Sequence, residues 1–415
     1  MAHIETDSAH CSGCSACVAA CLKDAISLIA DKEGFMTPMV DAAKCTECGI
    51  CIRTCPVNAD KELDAKETRA FAVQYKDDAV RKKSASGAFF PAVAKFFLEE
   101  KKGYVCGCIL GEDLLPKHIV SNDWQAIQKM QDSKYVQSNM GNCYVEIAAL
   151  LKDGQWVLFT GTSCQVNGLK SVLCTKKINA EHLLCIDFFC HGVPSPRIWK
   201  EYLSFYEKQK HRKIVGYRFR CKKYGWGKNS MGSNYLNSVN LGDSPLVKLP
   251  NKNSASQNGE TTSKWDDFSY EARMWREIFF SNLCIRTYCH SCPYTTVQKP
   301  ADITMGDFWG IENVAPEFDD GKGCSIVLLR TPIAKELFHQ LKIHCKQVEL
   351  ADAIKKQANA FYPSPVGTQR ESFWKDYSAY GFDYVAKKYF GYTPKERAKS
   401  FVKRILFELK LRNLY

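Results

Sequence analysis

Apolar residues beyond the first 65 positions form short runs that alternate between strand-like and helix-like spacing. The strand-like runs are short and rich in β-branched and aromatic residues, and they lie at 71–75, 104–110, 156–160, 185–189 and 302–308. The helix-like runs are longer and lie at 87–100 and 144–152. Alternation of this kind predicts an α/β domain with helices packed on a sheet.

Two polar stretches interrupt this pattern. Residues 57–70 are charged and nearly free of large apolar side chains, which indicates a linker or an exposed helix with a domain boundary near residue 65. Residues 225–264 are rich in Asn, Ser, Gly and Lys, which predicts a long, partly mobile insertion, with regular structure returning at Trp265. The pattern therefore predicts a small domain over 1–62, a larger domain over 66–345 and a helical extension over 346–415.

The extension ends in a basic amphipathic segment at 394–411, where apolar residues share one helical face among Lys and Arg. Such a helix can contact an anionic membrane surface or an acidic ferredoxin. We favour the simpler interpretation, a helix packed on its own domain with a solvated basic face.

Composition is that of an ordinary globular protein, with 45% apolar and 25% charged residues in 415. The formal net charge of +12 permits several anionic partners and selects none. Residues 387–412 contain nine Lys or Arg against two Glu, a local charge of +7 by subtraction. Because the excess is concentrated in the tail, nucleic acid is not predicted as a partner.

The chain contains 21 cysteines, a number that would indicate disulfides in a secreted protein. The sequence opens without a basic and apolar export signal, and no later apolar run approaches the roughly 18 residues of a membrane span. We therefore expect a reducing cytoplasmic location, where clustered cysteines are better interpreted as metal ligands.

Eight of these cysteines form two runs with the spacing of bacterial ferredoxins. The first run is Cys11, Cys14, Cys17 and Cys21, and the second is Cys45, Cys48, Cys51 and Cys55, followed by Pro56. In two-cluster ferredoxins the fourth cysteine of each run binds the other cluster. The spacing thus predicts one 4Fe-4S cluster on Cys11, Cys14, Cys17 and Cys55, and another on Cys45, Cys48, Cys51 and Cys21. The alternative of two zinc knuckles does not explain the interleaved spacing.

Four more cysteines occupy predicted strand ends. Cys164 follows the strand at 156–160, Cys190 follows the strand at 185–189, and Cys289 and Cys292 form a C-x2-C loop. Loops at the carboxyl ends of parallel strands can converge on a ligand. Buried structural cysteines explain the same positions equally well from spacing alone.

Five strings in order, KSASGAFF, KYVQSNMG, VLFTGTSCQVNGLK, DFFCHGVPSP and CHSCPYTTVQKPADITMGDFWGI, resemble the coenzyme F420 hydrogenase/dehydrogenase beta-subunit family. The resemblance covers roughly residues 70–345. It implies a flavoprotein that binds FAD beside a further 4Fe-4S cluster, which matching positions assign to Cys164, Cys190, Cys289 and Cys292. Cys221 and Cys284 are second choices. The chain has Ser163 where the family usually has proline, and Ala88 where it usually has a second glycine.

The flavin site rests on the resemblance alone, because no G-x-G-x-x-G fingerprint follows a strand. Ser86 and Gly87 are candidates to offer backbone amides to the pyrophosphate, and Gly306 and Asp307 lie in a turn that is a candidate to approach the isoalloxazine or the cluster. Ordinary turn chemistry explains any one of these residues as well.

The predicted fold is thus a mixed α+β and α/β chain: a small ferredoxin-like domain fused to a larger α/β domain for flavin and iron-sulfur clusters, with a helical basic extension. The predicted function is an iron-sulfur flavoprotein oxidoreductase that passes electrons between a ferredoxin-like carrier and a small organic substrate. Two alternatives stay open, a coenzyme F420 oxidoreductase and a non-catalytic electron-carrier subunit of a larger redox complex.

Overall fold

The fold is described from a computed structural model of the full chain. The structure describes residues 4, 9–58, 67–222, 226, 230–237, 264–266, 269–399 and 402. Most of the predicted insertion at 225–264, the predicted boundary near 65 and most of the basic segment at 394–411 lie outside these residues. Within the described ranges, no helix combines the length and apolarity needed to cross a bilayer.

The N-terminal module is a ferredoxin-like unit of two short helices and one hairpin. Its elements are α1 Ala16–Ala20, β1 Ile26–Ala30, β2 Met36–Val40 and α2 Ile50–Thr54. Strands β1 and β2 pair antiparallel with Ile26 opposite Val40. The hairpin turn between them ends at Phe35, whose side chain is fully buried.

The larger domain is built on an eight-stranded mixed sheet. The strands are β3 Arg69–Tyr75, β4 Tyr104–Leu110, β5 Pro116–Ser121, β6 Val157–Thr160, β7 Leu183–Phe188, β11 Ile303–Asp307, β12 Ser325–Leu329 and β13 Ile343–Val348. They lie in the order β13-β3-β12-β11-β7-β6-β4-β5. Strands β4, β6, β7 and β11 are parallel neighbours, which confirms the predicted α/β core. The predicted boundary at 345 falls inside β13, which pairs with β3, so the sheet extends beyond it to Val348.

Helices cover both faces of this sheet, because strands buried on both faces need apolar cover. In chain order they are α3 Asp78–Lys83, α4 Phe89–Glu99, α5 Trp124–Gln128, α6 Cys143–Lys152, α7 Ser163–Thr175, α10 Ile311–Val314, α11 Pro332–Phe338 and α12 Leu350–Ile354. Helix α4 packs Phe89, Val93 and Phe97 into the core between the sheet and α11. Helix α7 starts at a capping box formed by Thr162 and Gln165, which fixes where Cys164 leaves the strand end.

A second, aromatic layer packs beside the sheet. It consists of α8 Pro196–Lys210, β8 Arg212–Cys221, β9 Ser230–Asn237, β10 Lys264–Asp266, α9 Tyr270–Phe280, α13 Arg370–Tyr380 and α14 Phe382–Tyr389. Trp199 and Trp275 are fully buried at its centre, with ring centroids 4.7 Å apart. The predicted C-terminal extension is helical here, and Phe373 and Phe382 anchor it in the same core.

Candidate iron-sulfur centres

The two N-terminal cysteine runs fold into loops of the same backbone shape. Gly13 and Glu47, at matching positions, have φ of 72° and 52°, and Ser15 and Gly49 have φ of 68° and 69°. Left-handed residues at these points curl each loop tightly around its cysteines. In each run the third cysteine lies in a short helix and the fourth caps that helix, as Cys21 caps α1.

The thiols of the two runs interleave in space. Burial raises the pKa of Cys17, and the next causes are its neighbours Cys14, Cys11 and Cys55. Burial likewise raises the pKa of Cys51, with Cys21 and Cys48 as further neighbours.

The fourth cysteine of each run therefore lies beside the other run. We call Cys11, Cys14, Cys17 and Cys55 the middle group, and Cys21, Cys45, Cys48 and Cys51 the outer group, because Cys48 is exposed to solvent.

The other four predicted ligands line one cavity. Cys164 comes from the first turn of α7, Cys190 follows β7, and Cys289 and Cys292 come from a 3₁₀ turn at Thr287–Ser291 and its end. Strands β6 and β7 are parallel neighbours, so their carboxyl ends deliver Cys164 and Cys190 to the same edge. We call Cys164, Cys190, Cys289 and Cys292 the inner group.

Each thiol of the inner group is held in an environment that opposes a bare negative charge. Burial raises the pKa of Cys164 to about 11, although the Thr162 hydroxyl, 3.0 Å from its sulfur, partly opposes the rise. Burial also raises the pKa values of Cys190 and Cys292 to about 11. The charge of Cys292 contributes to the rise at Cys190, and the charge of Cys164 contributes to the rise at Cys292. Four adjacent thiolates would repel one another here unless a positive core offset their charge.

The inner cavity fits a cluster in its donor chemistry, because four thiols line it. A tetrahedral zinc ion draws its sulfurs to within roughly 2.3 Å of one point, whereas a cubane spreads its thiolates over four corners. Among the described residues, no set of three or more His, Cys, Asp or Glu side chains gathers closely enough to hold a single metal ion. The four thiols are instead spread around a cavity, with Gly192 where a Cβ would come within 3.2 Å of the Cys289 Cβ.

The middle and inner groups are close neighbours. Burial raises the pKa of Cys14 to about 12, and among its further causes is the charge of Cys164. Tyr288 and Tyr294 lie between the groups, and after burial the neighbours that raise their hydroxyl pKa values include Cys14, Cys164 and Cys292. Helix α7 comes close to the module at Gly168, where a Cβ would lie only 3.1 Å from the Cys14 sulfur.

Arg286 ties the N-terminal module to the larger domain beside these groups. Its Nε donates to the Cys11 carbonyl at 2.6 Å, and its Nη1 donates to the Met36 carbonyl at 3.2 Å and to Gln137 Oε1 at 3.1 Å. The side chain is fully buried, and its Nη2 is buried without a hydrogen-bond partner.

The hairpin turn of the module makes the second attachment. Arg370 pairs with Glu33 through both carboxylate oxygens, and Ser195 Oγ donates to the Glu33 carbonyl at 2.5 Å. At Gly34, φ is 86°, and a Cβ would come within 2.3 Å of the Arg197 Cβ. The module is therefore fixed at two separate points.

The predicted flavin residues lie near one another around the end of β11, but the backbone amide of Gly87 points away from the others. Ser86 Oγ and the Phe308 amide both donate to the Cys324 carbonyl, at 2.8 and 3.0 Å, which brings the two predicted segments together. The Gly87 amide instead donates to Ser325 Oγ at 3.0 Å, and a Cβ at Gly87 would lie 2.3 Å from the Val73 carbonyl oxygen. That amide faces its own sheet.

Gly306 and Asp307, predicted to lie in a turn, are instead the last two residues of β11, where pairing with β12 keeps them extended, and this strand end lies close to the segment before Cys190. At Gly306 a Cβ would lie 2.8 Å from the ring of Phe189, the residue before Cys190. Asp307 pairs with Arg220 and accepts a hydrogen bond from Trp226 Nε1 at 3.1 Å. Arg220 is buried, and its Nε and Nη2 have no hydrogen-bond partner.

The second-choice ligands differ from the first choices in position. Cys284 is fully buried, with its sulfur 3.9 Å from the Ile278 carbonyl, and is not among the residues that line the cavity. The side chain of Cys221 lies outside the described residues. His191 and His290, beside two inner cysteines, make ordinary hydrogen bonds to Asn282 and to the Ser364 carbonyl.

Sequence reasoning missed three charged residues around the site, Arg220, Arg286 and Lys299. Arg286 and Lys299 are single basic residues in runs without periodicity, and Arg220 is one of several basic residues between 218 and 223, so spacing gave no signal for any of the three. Arg286 lies three residues before Cys289, and Lys299 lies seven after Cys292. Proximity to the C-x2-C loop was the one available indication.

Comparison with known proteins matches two parts of the chain. Residues 154–356 match the family described as the C terminus of the beta subunit of coenzyme F420 hydrogenase/dehydrogenase, and residues 10–59 match the 4Fe-4S dicluster domain. The first range contains all four inner cysteines, and the second contains all eight cysteines of the middle and outer groups.

A chain in a solved structure of the F420-reducing [NiFe] hydrogenase complex from Methanosarcina barkeri is similar at 14% identity. The match covers 77% of this chain and 96% of that chain with a TM-score of 0.45, a likeness too weak to carry an argument. No curated protein matches the chain. This chain carries a 4Fe-4S dicluster domain followed by a C-terminal domain of the coenzyme F420 hydrogenase/dehydrogenase beta-subunit family.

Proposed function

We propose that this chain is an iron-sulfur flavoprotein oxidoreductase that passes electrons between a ferredoxin-like carrier and a small organic substrate. The observation that carries the proposal is the row formed by the three cysteine groups. It begins at exposed Cys48, passes the middle group and reaches the inner cavity, where the charge of Cys164 contributes to the raised pKa of Cys14.

The twelve cysteines of the three groups are proposed as ligands of three 4Fe-4S clusters. When bound, such clusters supply one-electron transfer, and FAD would supply exchange between one and two electrons. The chain's own residues hold the groups in place: the module loops curl around their cysteines, and Arg286 and Glu33 fix the module against the larger domain.

FAD is proposed for the region at the end of β11. Ser86, Gly306 and Asp307 meet there next to Phe189, and Arg220 supplies a buried cation with unpartnered N–H groups that an anionic ligand would satisfy. The amide of Gly87 is engaged within the sheet, so we leave Gly87 with a packing role.

Iron, sulfide and flavin quantitation on anaerobically purified full-length chain tests the proposal. Three cubanes predict about twelve irons per chain, and two predict about eight. Replacing Cys289 and Cys292 by serine should reduce the content from about twelve to about eight. Cys174→Ser is the matched control, because Cys174 is exposed on α7 and lies outside all three groups.

Flavin content separates the proposed enzyme from its main alternative. About one FAD per chain after acid extraction supports the oxidoreductase. Twelve irons without flavin would instead favour the electron-carrier role within a larger complex. Reduction of coenzyme F420 by the flavin-loaded chain would favour the F420 oxidoreductase. Coenzyme F420 is the substrate to test first, because the description of the matching family names it.

A further inference from the structure

Lys299 is a buried cation in the wall of the inner cavity. The residue is 6% exposed and lines the cavity together with the four inner cysteines. Its Nζ donates to the Phe188 carbonyl at 3.2 Å and lies 3.4 Å from Ser163 Oγ. The carbonyl two residues before Cys190 and the side chain just before Cys164 therefore hold the ammonium group against the ligand loops.

A network of buried polar groups keeps this lysine in place. Ser163 Oγ donates to Asp187 Oδ2 at 2.6 Å, and Thr304 Oγ1 donates to Asp187 Oδ1 at 2.5 Å. Asp187 is fully buried, and Arg330 reaches the same network through Thr304 at 2.8 Å. Both oxygens of the Asp187 carboxylate are thus engaged by hydroxyl groups, and the serine positions its own Oγ toward Lys299.

The charge of Lys299 acts on the inner group directly. Its side chain lines the same cavity as the four cysteines of the inner group, and its Nζ is held by the segments that lead into Cys164 and Cys190. Arg286 adjoins the inner group through its backbone, because its carbonyl accepts a hydrogen bond from the Cys289 amide at 2.9 Å. The two cations differ in the groups they adjoin, because the Arg286 side chain also donates to the Cys11 carbonyl in the middle group.

We propose that Lys299 and Arg286 are built-in counter-ions that raise the reduction potential at the inner group, with Lys299 acting on that group alone and Arg286 acting on the inner and middle groups together. The inference rests on the proposed clusters. One electron added at the inner group adds one negative charge in a buried cavity, breaks no bond and requires no proton. A fixed cation beside the cavity offsets that added charge more strongly than the same cation would in water.

Both are positioning residues, and the expected effect is on potential rather than on cluster content. Lys299→Met should make reduction at the inner group at least tenfold less favourable, a fall of about 59 mV for one electron. Lys299→Arg retains the charge and should recover most of the loss. Arg286→Met should lower the potentials of two centres, whereas Lys299→Met should lower only one.

Redox titration of the full-length chain, followed by low-temperature electron paramagnetic resonance, measures these potentials. The inner signal is identified as the one lost in the Cys289→Ser and Cys292→Ser double variant. Lys170→Met is the matched control: Lys170 pairs with Asp302 and the Pro300 carbonyl, six residues along α7 from Cys164 and therefore roughly 9 Å further on. It should leave the inner potential unchanged.

The outcomes separate this inference from the proposed function. An iron content near eight in the unmodified chain refutes the inner cluster itself. Twelve irons with an inner potential that is the same in Lys299→Met and the unmodified chain overturns the counter-ion role. An equal fall of the inner potential in Lys299→Met and Lys170→Met also overturns it, because both substitutions would then act by loosening the structure around the cavity. If Arg286→Met loses iron from the N-terminal module, the comparison of Lys299→Met with Lys299→Arg decides.

Discussion

Replacing Glu33 by alanine should release the N-terminal module from the larger domain. Glu33 and Arg370 form a two-point ion pair, with Nη1 to Oε1 at 2.9 Å and Nη2 to Oε2 as the second contact. Their side chains are only 9% and 13% exposed. Removal of Glu33 therefore leaves a largely buried guanidinium without its carboxylate.

The loss in unfolding free energy depends on which hydrogen bonds Arg370 keeps when Glu33 is removed. Breaking a buried pair by removing one partner costs about 3–5 kcal/mol because the remaining charge is uncompensated. Here Arg370 Nη2 retains the Ile285 carbonyl and Thr287 Oγ1, both at 3.2 Å. We therefore expect a loss near the lower end of that range, about 3 kcal/mol, in the free energy of unfolding of the docked module.

Anaerobic urea unfolding, followed by cluster absorbance for the module and by circular dichroism for the larger domain, measures this loss. In Glu33→Ala the absorbance transition should move to lower urea and separate from the circular dichroism transition. Glu67→Ala is the control, because Glu67 pairs with Lys335 and Arg69 but is 63% exposed. Exposed pairs contribute little.

The double variant Glu33→Ala, Arg370→Met completes the test, since removing both charges should recover part of the lost stability. The reasoning is refuted if Glu33→Ala unfolds at the same urea concentration as Glu67→Ala. It is also refuted if the double variant loses the sum of the two single effects, because the residues would then not interact.

Three further predictions follow from the same contacts. Gly87→Ala should cost about 1–3 kcal/mol in unfolding free energy, because its Cβ would meet the Val73 carbonyl oxygen at 2.3 Å; a melting temperature equal to that of the unmodified chain would contradict this. Gly168→Val should disturb the middle group, whose Cys14 sulfur lies 3.1 Å from a Cβ at that position, and should shift or broaden its magnetic resonance signal. Lys152→Ala, at an exposed position at the end of α6, should leave that signal unchanged. Burial lowers the pKa of His118 from 6.5 to about 4, so between these values the unfolded chain binds a proton that the folded chain does not, and stability falls as pH drops from about 6.5 toward 4. Urea midpoints of His118→Gln should fall less over that window, and equal slopes for both proteins would remove His118 as the cause.

The sequence predicted the parts of the site that repeat a fixed spacing. The two cysteine runs, the strand before Cys164 and the strand before Cys190 are local patterns, and each lies in the structure where its pattern indicates. The parallel order of β6 and β7 then brings Cys164 and Cys190 to one edge, as the strand-end argument required.

Features that depend on distant partners were not predictable in this way. Strands β5, β12 and β13 join the sheet antiparallel, and their register depends on pairing with β4, β11 and β3. The Arg370 contact with Glu33 spans 337 residues, and the Arg286 contact with Cys11 spans 275. Gly87 shows the same limit, because a glycine suited to a phosphate loop and a glycine required by close sheet packing look identical in sequence.

The interleaved ligation of the two N-terminal runs is the central claim, and magnetic resonance of the reduced chain tests it most directly. Anaerobic, dithionite-reduced protein should give the broadened signals of two 4Fe-4S clusters that interact as close neighbours. Replacing Cys21 and Cys55 together by alanine removes one proposed ligand from each cluster and should abolish that interaction, whereas Cys174→Ala should leave it unchanged. Intact interacting signals in the Cys21 and Cys55 double variant would contradict the account.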